Sequence, residues 1–190
     1  MRRWERQRRG GLQASRNRSP SWLPVRRRNR LDLHLYREPA RFFVTMTTER
    51  RRPWFRDVRI VQACESALRD ACVARGFELE AYCFMPDHLH VLVSSETGSD
   101  LVRFVHQFKQ RTGWWFRNRS VAGGLKASPT SSSRRAGLWQ KSYYDHILRR
   151  EEDARNVVRY ILENPVRAGL VAPPGEYPHA WSKYGAPEPV

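Results

Sequence analysis

Residues 82–93 of the chain, YCFMPDHLHVLV, have the pattern of two strands joined by a tight turn at Pro86-Asp87. The second strand opens with His88 and His90, and side chains alternate between the two faces of a strand, so both imidazoles are expected on one face. The apolar run that follows indicates a strand covered on at least one side. Two imidazoles held side by side on a rigid strand can supply half of a metal site, so another element must complete it.

The segments around this hairpin predict an alternation of strands and helices. An extended stretch is expected at residues 31–36, strands at 42–48, 77–84, 88–94 and 138–148, and helices at 58–75, 97–117 and 151–164. Gly76 is expected to end the first helix and Pro165 the third, because the residue before a proline disfavours helical backbone. The order predicts an α+β fold, a ferredoxin-like βαββαβ antiparallel sheet with helices on one face, plus a C-terminal helix.

The charge of the chain predicts a polyanionic partner. Lys and Arg number 35 against 19 Asp and Glu, which gives a net charge of +16. Arginine greatly outnumbers lysine, and its planar group binds phosphate with two hydrogen bonds and stacks on bases. Nucleic acid is the leading partner. An anionic membrane surface is the alternative, although no basic amphipathic helix stands out and no apolar run approaches the ~18 residues that span a bilayer.

The chain is expected to hold one folded domain at residues 31–185. Residues 1–30 are rich in arginine and poor in apolar residues, so a disordered basic arm is predicted, and an over-extended translation start without function is the alternative. Glycine and serine predict a flexible loop at 120–137. The cysteines are odd in number and form no CxxC pair, which favours reduced thiols in the core of a cytoplasmic protein. They are Cys64, Cys72 and Cys83.

The third predicted helix supplies groups that could complete the site. Tyr160 and Asn164 are four residues apart, so they lie side by side on one flank of that helix. A tyrosine hydroxyl, with a reference pKa of about 10, attacks a phosphodiester only when a cation polarises the phosphate. We expect His88, His90 and the Asn164 amide oxygen to hold a divalent ion. Magnesium prefers oxygen ligands, so the two imidazoles admit Mn²⁺ as well as Mg²⁺.

Three ordered blocks of the chain resemble REP-associated tyrosine transposases, a branch of the single-tyrosine HUH transposases. The blocks are CFMPDHLHVLV, LWQKSYYDHILRREED and RYILENPVRAGLV. The resemblance implies that His88 and His90 bind the metal, that Tyr160 is the nucleophile, and that Asn164 is the third ligand. It implies attack on single-stranded DNA beside a hairpin or REP-like palindrome, through a 5′-phosphotyrosine, by a monomer or dimer associated with the bacterial nucleoid in the cytoplasm.

Basic side chains near the proposed site are predicted to contact phosphate. A solvated basic face explains each one singly, whereas the group is hard to explain without a polyanion. The predicted DNA-binding residues are Arg149, Arg150, Arg159, Arg167 and Lys109.

Several alternatives remain open from the residues alone. Tyr143 and Tyr144 rival Tyr160 as nucleophile, although an aromatic pair in a strand more often serves packing. His146 either lines the site or faces a strand neighbour. Asp87 favours turn formation, with orientation of a histidine as the second reading. A hairpin-binding protein without cleavage, and a metallohydrolase that activates water, are the other functions considered.

Overall fold

The fold is described by a computed structural model for residues 38–96, 98–119, 137–148, 154–172 and 175–185. Its strands are β1 (Ala40–Thr47), β2 (Glu78–Met85), β3 (His88–Ser95), β4 (Tyr144–Leu148) and β5 (Ala180–Ser182). Its helices are α1 (Val58–Arg75), α2 (Leu101–Asn118) and α3 (Ala154–Arg167). The predicted arm at 1–30, the extended stretch at 31–36 and nearly all of the predicted loop at 120–137 lie outside the described residues.

The strands form one antiparallel sheet in the order β4-β1-β3-β2-β5. The first four strands with α1 and α2 give the predicted ferredoxin-like βαββαβ arrangement. In the register, β1 pairs with β3 so that Thr45 lies opposite His90, and Thr47 lies opposite His88. The fifth strand was not predicted. It is three residues long, and its Trp181 stacks on Tyr82 of β2 with the ring centroids 6.0 Å apart.

The two faces of the sheet are covered by different helices. On one face, β1 contributes Phe42, Val44 and Met46 to a core shared with α1 and α2. The intervening residue Phe43 points to the other face, where α3 packs with Ile161 fully buried. The period of two along β1 therefore divides the apolar residues between two cores. The histidines of β3 lie on the α3 face.

Helix boundaries follow from the capping residues. The Asp57 side chain accepts a hydrogen bond from the Arg59 amide at the start of α1, and Gly76 ends this helix in the left-handed conformation at φ +66°. Both ends agree with the prediction. The second helix starts later than predicted, because Asp100 caps it through the Arg103 amide at 3.0 Å. No helix within the described ranges is long and apolar enough to cross a membrane.

The prediction that Pro165 ends the third helix was wrong. Helix α3 continues to Arg167 and includes the proline. Proline removes one backbone donor, but in the last turn the chain closes by other bonds, from the Ala168 amide to the Asn164 carbonyl and from the Leu170 amide to the Pro165 carbonyl. Gly169, at φ +67°, then reverses the chain. The fourth strand is also shorter than predicted, because regular pairing begins only at Tyr144.

Candidate active site

His88 and His90 project from the same face of β3, as the alternation predicted. Their Nε2 atoms lie 3.1 Å apart, and the ring centroids are 4.7 Å apart. Two nitrogen ligands about 2.1 Å from one ion and at right angles to each other lie roughly 3.0 Å apart, so the two Nε2 atoms converge as ligands of one metal would. The His90 side chain is buried, with 6% of its surface exposed, and its ring stacks on Phe43 at 5.4 Å.

Each imidazole is held by its other nitrogen. The Asp87 carboxylate accepts a hydrogen bond from His88 Nδ1 at 2.6 Å, and the Thr45 hydroxyl lies 2.9 Å from His90 Nδ1. A ring that donates through Nδ1 keeps the lone pair of Nε2 available for a metal. Asp87 therefore orients a histidine, which was the second reading of the sequence. Thr45 was missed, because only the strand register places it beside His90.

Charge and burial determine the ionisation of Asp87 and His90. Burial raises the pKa of the Asp87 carboxyl, but the hydrogen bonds and charges of His88 and Arg51 outweigh it, so that the pKa lies below its ordinary value. Burial also lowers the pKa of His90 well below the usual value, and the nearby His88 and Arg167 lower it further. His90 is consequently a neutral imidazole, which is the form that binds metals.

Tyr160 lies beside the histidines on α3. Its ring meets that of His90 edge to face at 5.7 Å and that of Phe43 at 6.0 Å. The Arg167 guanidinium lies 4.4 Å from the centroid of the Tyr160 ring. Burial raises the pKa of the Tyr160 hydroxyl, whereas the Arg167 charge and a hydrogen bond from Asn164 act in the opposite direction. The hydroxyl is neutral at neutral pH and has a positive group next to its ring.

The remaining predicted site residues are distributed unevenly. Asn164 is buried in the same helix, and its Nδ2 donates to the Tyr160 carbonyl oxygen at 2.8 Å. Its role as third ligand stays a prediction. Arg159 is exposed on α3. Lys109 lies on α2, across the sheet, where its ammonium donates to the Lys141 and Ser142 carbonyls at 3.1 Å. Arg149 and Arg150 lie outside the described residues.

The two rival tyrosines point to opposite faces of the sheet. Tyr144 pairs with Thr45, which itself pairs with His90, so these three side chains form a row across three strands on the α3 face. Tyr143 packs instead against the core of α1 and α2. His146 of β4 lies opposite Phe43 of β1, so its side chain is on the same face of the sheet as that of Tyr144. Tyr144 is thus a second tyrosine on the histidine face, and the Tyr160 ring contacts that of His90.

Comparison with known proteins connects this geometry to a family. A family model described as "Transposase IS200 like" matches residues 40–164, well over half of the chain. A Haemophilus influenzae protein assigned as a REP-associated tyrosine transposase is 25% identical over 148 residues, 73% of this chain and 77% of the relative. The REP-associated tyrosine transposase of Escherichia coli K12 is 29% identical over 104 residues, 55% of this chain and 53% of the relative.

A solved structure shares the fold. It is that of a REP-associated tyrosine transposase bound to a REP hairpin, and it covers 82% of both chains with a TM-score of 0.60 and 24% identity. The region that the family model matches contains the histidine pair of β3 together with Tyr160 and Asn164 of α3. The chain therefore belongs to the IS200-like transposase family, and the two relatives compared above carry the name REP-associated tyrosine transposase.

Proposed function

We propose that this protein is a metal-dependent single-stranded DNA endonuclease and strand transferase that acts at hairpins or REP-like palindromes. The observation that carries the proposal is the pair of Nε2 atoms 3.1 Å apart, with the Tyr160 ring 5.7 Å from that of His90. The related transposase solved with a REP hairpin supplies the partner, which we extend to this chain. Its large positive charge suits such a substrate, and it acts as a monomer or dimer on DNA of the bacterial nucleoid.

The donor set fits a divalent cation. Two imidazoles present their Nε2 atoms to one point, and each is held from behind by Asp87 or Thr45. His88, His90 and the amide oxygen of Asn164 would hold Mg²⁺ or Mn²⁺. The nitrogen pair suits manganese better than magnesium. When bound, the cation polarises the scissile phosphate and neutralises the charge that develops on it.

Tyr160 performs the covalent step. Its hydroxyl oxygen forms a bond to phosphorus and loses its proton to solvent, while the bond from phosphorus to the 3′ oxygen breaks and that oxygen gains a proton. The product is a 5′-phosphotyrosine and a free 3′-OH. When a 3′-OH of another strand attacks the phosphotyrosine, Tyr160 becomes the leaving group. Arg167, 4.4 Å from the ring centroid, favours the phenolate in this reverse step.

A denaturing gel tests this reaction. The protein is mixed with a labelled oligonucleotide that carries a hairpin and a single-stranded flank, with Mg²⁺ or Mn²⁺. The wild type and Tyr144→Phe are expected to give a covalent protein–DNA band, and Tyr160→Phe none. A band that survives Tyr160→Phe and disappears in Tyr144→Phe would assign the nucleophile to β4. Tight, salt-dependent hairpin binding without any band under either metal would make the protein a binder without cleavage.

A further inference from the structure

The connection between β1 and α1 is rich in exposed arginine. Residues 48–57, TERRRPWFRD, are named here the arginine loop, and Arg50, Arg51, Arg52 and Arg56 are all exposed. Both acids of this segment bind other groups. The Glu49 carboxylate accepts a hydrogen bond from the Gly137 amide. Asp57 caps α1 and forms an ion pair with Arg59.

Of these four arginines, only Arg51 has an acidic partner within the described part of the chain. It lies 3.1 Å from Asp87, the residue that holds His88. Arg52 instead lies over the Trp54 ring at 5.8 Å, with Arg119 also near that ring at 5.7 Å. A guanidinium stacked on an aromatic ring keeps the N–H groups of its edge available to a phosphate. Arg50, Arg52 and Arg56 therefore have no acidic partner among the residues that the structure describes.

The arginine loop is attached directly to the turn that carries the first histidine. The amide and the hydroxyl of Thr48, which is fully buried, both donate to the Asp87 carbonyl at 2.9 Å. The Phe55 amide donates to the Pro86 carbonyl at 3.1 Å, and the Phe55 ring is buried against Phe84 at 5.1 Å. These contacts attach the backbone of the loop to the turn before β3, so the arginines project from a backbone with a defined position relative to His88.

The backbone of the loop is held in an unfavourable conformation. Arg50 and Arg51 have φ values of +55° and +52°, in the left-handed region that residues with a side chain avoid. Such strain persists where the surroundings impose it and is concentrated at binding and catalytic sites. Here the anchors at Thr48 and Phe55 impose it. The result is a tight turn that presents adjacent arginines to solvent beside Asp87.

We propose that the arginine loop binds the phosphodiester backbone of a single DNA strand and leads that strand to the histidine pair. Arg50, Arg52 and Arg56 contact phosphates, and Arg51 positions Asp87 and through it His88. This inference rests on the proposed function, because it takes single-stranded DNA as the substrate. Several arginines on a loop attached to the Asp87 turn suit a substrate whose charge repeats along its length.

Salt-dependent binding tests the loop directly. Fluorescence anisotropy measures Kd for a labelled hairpin with a single-stranded flank, without metal and in a Tyr160→Phe background, from about 50 to about 200 mM NaCl. The variant R50Q/R52Q/R56Q is expected to bind more weakly, with a slope of log Kd against log salt lower by about 2, from roughly 0.7 per lost phosphate contact. The control R75Q/R103Q/R111Q removes the same charge from α1 and α2 and is expected to keep the wild-type slope.

Two further comparisons identify what the loop contacts. The variant R50K/R52K/R56K keeps the positive charge, so it is expected to restore most of the slope of log Kd against log salt. If it melts at the wild-type temperature and does not restore the slope, the assignment of the loop to phosphate is overturned. The glutamine variant is expected to lose affinity for the flanked hairpin but not for the hairpin trimmed of its flank. Equal losses on both would place the loop on the duplex stem and overturn the single-strand assignment.

The binding measurement tests the arginine loop independently of whether Tyr160 forms the covalent adduct. Equal slopes for the loop variant and its control would refute this inference even if the wild type forms the adduct. If the wild type forms no adduct and the loop variant still loses its slope, the proposed cleavage fails and the binding surface stands.

Discussion

Replacing Thr45 by valine tests how the site is assembled. Valine has nearly the shape of threonine but lacks the hydroxyl that lies 2.9 Å from His90 Nδ1. Without it the buried His90 loses a group that can accept a hydrogen bond from Nδ1, and the tautomer protonated on Nε2 has no lone pair there for a metal. Loss of such a supporting hydrogen bond costs tenfold to hundredfold in metal affinity, which is about 1.4 to 2.7 kcal/mol.

Titration calorimetry with Mn²⁺ measures this effect. Thr47→Val is the matched control, because Thr47 lies on the same face of β1, opposite His88, and within the described residues its side chain makes no hydrogen bond to an imidazole. We expect Thr45→Val to weaken Mn²⁺ binding by at least tenfold and Thr47→Val by less than about twofold. Saturating Mn²⁺ should restore adduct formation in Thr45→Val. Equal affinities for the two variants would refute the assignment of Thr45 as the group that orients His90.

Three other predictions concern the charge beside the proposed nucleophile, a buried carboxylate and the thiols. Arg167→Gln should slow single-turnover adduct formation by about 3- to 30-fold, since a cation near a ring contributes about 0.5 to 2 kcal/mol, and an unchanged rate would contradict it. Burial raises the pKa of Glu80, but hydrogen bonds and charges from Ser94 and Arg41 bring it below its ordinary value. This contribution to stability is present above the unfolded pKa of about 4.3 and lost as pH falls through the lower folded value, so thermal melts of Glu80→Gln should vary less with pH there than the wild type. Burial raises the pKa of Cys72 to about 12, and a thiol reagent at neutral pH should label the native protein far more slowly than the unfolded one.

The parts of the site that sequence could predict are those governed by local periodicity. The alternation of a strand placed His88 and His90 on one face, and the helical repeat placed Tyr160 and Asn164 one turn apart. Thr45 could not be found in this way, because threonine is common in strands and its meaning depends on the register between β1 and β3. The position of the arginine loop beside the His88 turn could not be predicted either, because it depends on hydrogen bonds between segments that are distant in the sequence.

The elements of the fold that were predicted wrongly or missed also depend on contacts between distant residues. A proline in the last helical turn removes a single donor, and local rules cannot weigh this against the packing of α3 on the sheet. The short β5 has too few residues to show a pattern, and it pairs with β2 where Trp181 stacks on Tyr82. Local preference predicted these elements incorrectly because contacts between distant residues decided them.

The separation of the two halves of the site along the chain has a consequence during synthesis. A chain emerging from the ribosome presents β1 and β3, with both imidazoles and the Thr45 and Asp87 side chains that hold them, well before α3 exists. Such a nascent chain has the proposed metal ligands of β3 but not yet Tyr160, the proposed nucleophile. Tyr160 arrives with the last helix and reaches His90 only when that helix docks on the free face of the sheet. Under the proposed reaction, covalent cleavage requires a chain that extends through α3, so chains that end before this helix are expected to form no adduct.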